Sequence, residues 1–185
     1  VLVADAHHVQ THMRNDLGMG QPIINLLDEV EPAAIARWLP QAISDEDIRD
    51  FIFHKSLNPQ TVPMTELEAY LEQAIAREMI RCVAPEPLPP FNVLLARGQT
   101  PTNTPLPGQA ILLLLDALQP TGIFSVALDK YGVLPALGAL AVHQPLAAVQ
   151  ALEAGVPSVL GGGGVPTGQG QAGETGGEGG GGRAG

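Results

Sequence analysis

The sequence predicts an α/β fold, and the order of its apolar segments carries that prediction. Residues 92–96 and 123–128 each form a continuous apolar run, and the nearly all-apolar segment 109–118 lies between them with helical character. Strands that are apolar on both faces and are separated by a helix are typical of a buried parallel sheet. Short helices over 134–142 and 146–153 complete a β-α-β-α order.

The beginning of the chain predicts a β-hairpin followed by helices. Residues 1–4 and 9–13 are expected to be its two strands, with the turn at residues 5–8. Pro22 and Pro32 stand where helices begin, because proline is favoured in the first helical turn. Ser44 and Asp47 predict a helix cap before Ile48.

A capping box predicts the longest helix. Thr65 and Glu68 have the required spacing, and the helix is expected to run to about Cys82. Its apolar stripe follows helical periodicity and contains Leu67, Leu71, Ala74, Ile75 and Met79. The prolines between residues 85 and 90 then predict a stiff, extended connector, and residues 98–107 predict a loop.

The end of the chain predicts disorder. Fourteen of the last 25 residues are glycine. Such a segment buries too little surface to offset the entropy lost on ordering it, so residues 156–185 are expected to form a disordered, glycine-rich tail.

Charge and cysteine content exclude several classes of function. The chain has 9 basic against 19 acidic residues, a net charge of -10, which repels phosphates and anionic lipid. We therefore expect no nucleic acid and no membrane as partners, and the apolar runs are shorter than the roughly 20 residues of a membrane span. Cys82, the only cysteine, excludes an internal disulfide and favours the cytoplasm.

Several polar residues have a structural interpretation that competes with a functional one. His8 and His12 lie on one face of a predicted strand, next to His7, but no carboxylate or thiol completes a metal site. Asp116 and Asp129 are expected to act as cap or turn residues rather than as catalytic acids.

Two glycine-bearing loops and the cysteine are further candidates. The loop from Asp16 to Gly20 opens a helix, where free backbone N–H groups suit phosphate, although this is also common turn chemistry. Gly98 follows a strand at the end where open α/β sheets bind ligands. Arg81 favours a lower pKa for the neighbouring Cys82 thiol, but the end of a helix disfavours a thiolate, so a reactive cysteine is not expected.

Three stretches together resemble one protein family. They are the Arg-Asn-Asp-Leu-Gly-Met of residues 14–19, residues 91–98, and the run 113–141, which is the most specific. That run contains Leu-Leu-Leu-Asp-Ala-Leu-Gln-Pro-Thr-Gly at 113–122 and Leu-Pro-Ala-Leu-Gly-Ala-Leu-Ala at 134–141. The pattern is similar to the MutL family linked to glutamate mutase, which is unrelated to the MutL of mismatch repair.

The resemblance implies part of an actin-like (ribonuclease H-like) ATPase lobe over residues 1–155, with residues 22–82 as a helical insertion. Relatives of this kind bind ATP and Mg²⁺ between two lobes. Family members are thought to assist adenosylcobalamin-dependent mutases as accessory or reactivating factors. The family's Asp-x-Gly-Gly-x-Thr-Thr phosphate loop precedes the strand matched by residues 1–4. The chain is therefore expected to be a C-terminal fragment that binds no cofactor and hydrolyses no ATP alone.

The resemblance also implies three cofactor-binding positions in this sequence. Asp16 and Gly18 match the family's Asp-Leu-Gly loop, and Gly98 matches its adenosine loop. Arg97 and Gln99 replace smaller residues there, which predicts crowding of a nucleotide base or ribose. A strand missing between the hairpin and the β-α-β unit predicts marginal stability, because buried backbone groups would lack partners.

Two other hypotheses remain open. A non-enzymatic interaction module would use the acidic helices of residues 22–82 to dock a partner protein. An unrelated Rossmann-like domain would bind a small ligand at the Gly98 loop without any upstream lobe.

Overall fold

The structure is a computed structural model that describes residues 2–4, 8–102, 104, 106–154 and 158–165. Helices and strands are mixed along the chain, as the sequence predicts. The strands are β1 (Leu2–Ala4), β2 (Val9–Thr11), β3 (Val93–Arg97), β4 (Gly122–Asp129) and β5 (Ser158–Val165). The helices are a 3₁₀ helix (Gln21–Asp28), α1 (Pro32–Ala36), α2 (Asp45–Leu57), α3 (Glu66–Val83), α4 (Gln99–Thr102), α5 (Pro107–Leu118), α6 (Leu134–His143) and α7 (Pro145–Glu153).

The predicted hairpin is confirmed. β1 and β2 pair antiparallel, with Leu2 opposite Thr11 and Ala4 opposite Val9. Residues 5–7 of the predicted turn lie outside the described residues.

The predicted helix starts are confirmed by their caps. The Ser44 hydroxyl accepts a hydrogen bond from the Asp47 N–H at 3.1 Å. Thr65 accepts from the Glu68 N–H at 3.2 Å, while the Glu68 carboxylate accepts from the Thr65 N–H at 3.2 Å, so both halves of the capping box form. Pro32 begins α1. The segment predicted as a helix from Pro22 differs in type, because it is wound as a 3₁₀ helix.

The described residues form two hydrophobic cores, and α3 contributes to both. The first core joins the 3₁₀ helix, α1 and α2 to one face of α3; its members include Ile23, Leu26, Ile35, Ile48, Ile52, Leu71 and Ile75. The second core joins β3, β4 and α5 to another face of α3; its members include Ala76, Ala96, Ala110, Leu114, Phe124 and Val126. The predicted apolar stripe of α3 is thus confirmed as core.

The parallel pairing of the two predicted strands is confirmed, but the burial of β3 is not. Val93 pairs with Ser125 and Arg97 with Asp129 in a parallel register. Val93 and Leu95 are nevertheless more than half exposed, whereas Ala96 is buried. β3 lies at the edge of a sheet ordered β3-β4-β5, and α5 packs on the face that carries Ala96. The expectation of a strand buried on both faces is therefore wrong for β3.

The segment predicted as a glycine-rich tail contains a strand. Residues 158–165 form β5, which pairs antiparallel with β4, from Leu128 opposite Ser158 to Gly122 opposite Val165. Because a β-ladder is made by backbone groups, a strand with four consecutive glycines can still satisfy the second edge of β4. Residues 155–157 and 166–185 lie outside the described residues. The predicted loop after β3 likewise contains the four-residue helix α4.

The predicted helices after β4 are confirmed as α6 and α7. They pack chiefly against each other, and every residue of α6 is at least partly exposed. Over the part of the chain that the structure describes, no helix combines the length and the apolar character needed to cross a membrane.

Candidate functional site

The two predicted glycine loops meet at one cleft. Gly18 and Gly98, which are far apart in sequence, both line an open cavity of about 710 Å³. The C-terminal part of α2 and the turn after it form one wall, with Lys55, and α3 forms another, with Glu72. We call this cavity the two-loop cleft.

Asp16, the third predicted position, is not among the residues that line the cleft. Arg14 holds its carboxylate with two hydrogen bonds, of 2.9 Å from Nε and 2.5 Å from Nη2, and also contacts Glu29. These bonds lower the pKa of Asp16 to about 2 and raise that of Arg14. Asn25 donates to the Asp16 carbonyl at 2.8 Å, so Asp16 positions the loop rather than facing the cleft.

The backbone at Gly18 leaves space for a ligand. Apart from Gly18 and its two chain neighbours, no residue has a heavy atom within 4 Å of the position that a Cβ at Gly18 would occupy, whereas a Cβ at Gly20 would contact Pro22 and Pro59 at 3.9 Å. The absence of a side chain at Gly18 therefore leaves free space that a ligand can use.

The opposite loop depends on glycine for its conformation. Gly98 has φ of 121°, a backbone region that other residues rarely adopt. Arg97 before it is exposed, and its Nη2 lies 3.6 Å from the position that a Cβ at Gly132 would take. The loop thus places one cation at the wall of the cleft, beside the turn that follows β4.

A second cation of the cleft is already neutralised. Lys55 is only 7% exposed, and its ammonium donates to the Thr61 carbonyl and to the Glu72 carboxylate. A buried charge that has these partners fixes the junction of α2 with α3, since removing either partner would leave the other charge uncompensated.

The two candidate aspartates of the β-α-β-α region have structural roles. Asp129 is buried, and its carboxylate accepts hydrogen bonds from the N–H groups of Val133 at 2.8 Å and Leu134 at 3.1 Å. It therefore caps the start of α6, as the sequence predicts. Asp116 lies outside the two-loop cleft, and its backbone carbonyl accepts from Arg77 Nη2 at 3.2 Å.

Sequence reasoning missed a buried charge cluster on α3. Glu78 is completely buried and accepts from Arg77 and, at 3.0 Å, from Arg81 Nε. The Arg77 guanidinium lies 3.4 Å from the centre of the Trp38 ring, and burial lowers the pKa of Arg77. The available signal was the charged Arg77-Glu78 pair inside the apolar run of residues 74–79.

Arg81 lowers the pKa of the Cys82 thiol, as expected, but the net shift is upward. Burial raises the pKa of its thiol, Glu29 raises it further, and Arg81 opposes them with a smaller effect. The thiol is therefore less, not more, ionised than an exposed cysteine at neutral pH.

The structure describes two of the three histidine candidates. His8 and His12 are described, whereas His7 lies outside the described residues. Within the described ranges, no three His, Cys, Asp or Glu side chains group closely enough to hold a metal ion.

Comparison of the chain with protein-family models, with curated proteins and with solved structures found no match in any of the three.

Proposed function

We propose that, contrary to the expectation that the chain alone binds no cofactor, it binds the phosphate-bearing part of a nucleotide in the two-loop cleft. The single observation that carries the proposal is the convergence of Gly18 and Gly98 on one cavity. Its volume of about 710 Å³ falls within the roughly 300–1,000 Å³ of ordinary small-molecule sites. Open space at Gly18 lets an anion approach backbone N–H groups, and exposed Arg97 supplies positive charge.

The wider proposal is that the chain is the C-terminal part of an actin-like ATP-binding protein of the MutL type. ATP and Mg²⁺ would be ligands of the complete protein, which would act as an accessory or reactivating factor for an adenosylcobalamin-dependent mutase. The order of hairpin, helical unit and β-α-β-α region supports this reading, as does the meeting of the two loops that the resemblance assigns to the nucleotide. The chain alone is not proposed to be a catalyst.

A titration with ATP, with and without Mg²⁺, tests the proposal, and isothermal calorimetry measures the binding. We expect Gly18→Val to abolish binding, because the new side chain fills open space in the cleft without a clash. Gly138→Val, on exposed α6, is the matched control and should leave binding unchanged.

Tripolyphosphate separates the contribution of the phosphates from that of the base. It should compete with ATP if the phosphates supply most of the affinity, and Arg97→Gln should weaken both ligands. ATP binding of equal affinity in Gly18→Val and in the unmodified chain would contradict the proposal.

The second candidate is a protein-interaction module, and the exposed surface of α2 favours it. This helix begins with three acidic residues, and it also exposes Phe53 and Leu57 by more than half. An acidic surface with apolar side chains suits a basic partner that has an apolar pocket. Binding of an adenosylcobalamin-dependent mutase that is lost in Phe53→Ser but retained in Gly18→Val would favour this candidate.

A further inference from the structure

Helices α6 and α7 expose an apolar surface that the function proposed above does not use. Residues 134–142 are all apolar, so α6 has no polar side to present to water. Every residue of α6 is nevertheless at least partly exposed. A helix that is apolar on all sides is normally buried. Among the described residues, α6 and α7 pack chiefly against each other, so the outer side of this pair remains in contact with solvent.

We call the exposed apolar side chains of this helix pair the α6-α7 surface. Its two most exposed members lie near the turn that joins the helices: Val142 is 77% exposed and Leu146 is 71% exposed. The other members are Leu140, Val149 and Leu152. Contiguous exposed apolar surface of this kind marks a site of interaction with another molecule.

The distribution of charge favours a second copy of the chain as that molecule. The chain has 19 acidic residues, but none lies between Lys130 and Leu152. Two copies that each carry a net charge of -10 repel one another, and the repulsion is weakest where the contacting surfaces have no carboxylates. A basic partner would instead be attracted to acidic segments such as the start of α2.

The size of the surface also fits a dimer. A specific interface uses roughly 20–30 residues of each partner, and α6 and α7 supply 10 and 9 residues. Residues 166–185 cannot supply an apolar cover in place of a second copy, because they include no Val, Leu, Ile, Met or aromatic residue. An identical surface on a second copy does supply apolar side chains, and a twofold axis lets each copy contact the other with the same residues.

We propose that α6 and α7 form the interface of a homodimer, in which the helix pairs of two copies pack across a twofold axis as a four-helix unit. Burial of Val142 and Leu146 from both copies removes apolar area from water, which drives the association. Neither residue lines the two-loop cleft, so dimerisation does not depend on nucleotide binding.

Sedimentation equilibrium of the unmodified chain tests the proposal. We expect the average mass to rise with concentration from 19.3 kDa toward twice that value. The association should strengthen when the salt concentration rises from about 0.05 M to about 0.5 M, because salt screens the repulsion between two acidic chains. A dimer held by ion pairs would weaken over the same range, and that result would overturn the proposal.

Two matched variants locate the interface. Leu146→Glu should weaken dimerisation at least about tenfold, because it places a carboxylate from each copy in the interface. Leu57→Glu is the control, since Leu57 on α2 is 68% exposed, close to the value for Leu146, and its replacement should leave dimerisation unchanged. Circular dichroism checks that both variants keep their helices. Equal dimerisation of Leu146→Glu and the unmodified chain would contradict the proposal.

Hydrogen exchange of the unmodified chain provides a second test that needs no variant. Amides of α6 and α7 should exchange more slowly as the chain concentration rises, whereas amides of α2 should not change. A mass that stays at 19.3 kDa at every concentration would overturn the proposal. Protection of α6 that appears only when phosphatidylcholine vesicles are added would assign the surface to lipid and would overturn it as well.

Discussion

Arg77 and Glu78 place opposite charges inside the protein at consecutive positions of α3. Glu78 is completely buried, and Arg77 and Arg81 donate to its two carboxylate oxygens. Taking such groups out of water is costly, and their mutual attraction offsets that cost only while the partners are present. The two arginines are not equivalent, because the side chain of Arg77 is 8% exposed and that of Arg81 is 50% exposed.

Replacement of each arginine by alanine should therefore have different effects. We expect Arg77→Ala to lower the free energy of unfolding by about 3–5 kcal/mol, because it removes a buried partner of Glu78 and the contact with Trp38. Arg81→Ala should cost less than about 1 kcal/mol, as for other solvent-exposed ion pairs. Urea unfolding of both variants measures the difference. Equal losses in the free energy of unfolding would show that the burial of Arg77 does not determine its contribution to stability.

Asp16 predicts a pH dependence of stability at acid pH. Its pKa is about 2 in the folded protein against an ordinary 3.8, because Arg14 hydrogen-bonds the ionised form. A depressed folded pKa stabilises the protein above the unfolded pKa, and that contribution disappears as the pH falls from about 4 to about 2. The carboxylate is exposed, so the effect is small, and a carbon-detected NMR titration of Asp16 measures it directly.

The matched variants for this titration are Asp16→Asn and Asp50→Asn. In Asp16→Asn, the free energy of unfolding should fall less between about pH 4 and pH 2 than in the unmodified chain. In Asp50→Asn, on the exposed face of α2, it should fall as much as in the unmodified chain. A midpoint for Asp16 near 3.8 would contradict the ion pair with Arg14.

Single residues also show why the two glycine loops could be identified from the sequence and the buried Arg77-Glu78 cluster could not. Gly18 and Gly98 lie in loops whose turn chemistry is local, so the sequence identifies each of them without its partner. Trp38 and Arg77, which are in contact, come from two separate segments. Arg77 alone resembles an ordinary charged helix residue, and only tertiary packing reveals its burial.

At the scale of helices and strands, local chemistry predicted the helix starts. Ser44 and Thr65 satisfy backbone groups within three residues of themselves, so their caps need no tertiary information. Strands differ because a ladder joins residues that are distant in sequence. The apolar run of β3 does not show that one face of the strand is exposed to solvent. The glycines of β5 have no side-chain pattern that would predict pairing with β4.

Two glycines near α6 predict opposite effects of the same substitution. Gly138 lies within α6, with open space where a Cβ would be, so Gly138→Ala should stabilise the protein by about 0.5–1 kcal/mol. Gly132 has φ of 66°, which a side chain disfavours, so Gly132→Ala should destabilise it by about 1–2 kcal/mol. Thermal unfolding of the two variants measures both shifts. A gain in stability for Gly132→Ala would exclude the left-handed conformation at that turn.

At the scale of the whole molecule, α3 connects the two cores of the described residues, and Met19 also packs against both. Leu71 and Ile75 belong to the first core, whereas Ala76 belongs to the second. Among the described strands, β1 and β2 form a sheet separate from β3-β4-β5, so no backbone ladder joins the hairpin to the larger sheet. Cooperativity between the two halves must therefore pass mainly through side-chain packing on α3.

Native-state hydrogen exchange should reveal this hierarchy. Amides of α3 are expected to exchange only on global unfolding, because both cores must open to release the helix. Amides of α6 and α7 should exchange through local opening at a lower free energy, since these helices pack chiefly against each other and Val142 and Leu146 remain exposed. Well-dispersed amide signals are the precondition, and their absence would instead support the predicted marginal stability.

Variants in the first core and in α6 test whether α3 couples the two halves. Leu71→Ala should destabilise the protein by about 2–5 kcal/mol, because it leaves a cavity in the first core. If α3 couples the cores, protection should fall in β4 and α5 as well as in α2. Leu140→Ala, on partly exposed α6, should change protection only in α6 and α7. Protection of β4 and α5 that is unchanged in Leu71→Ala would mean that the two cores unfold independently and that α3 frays between them.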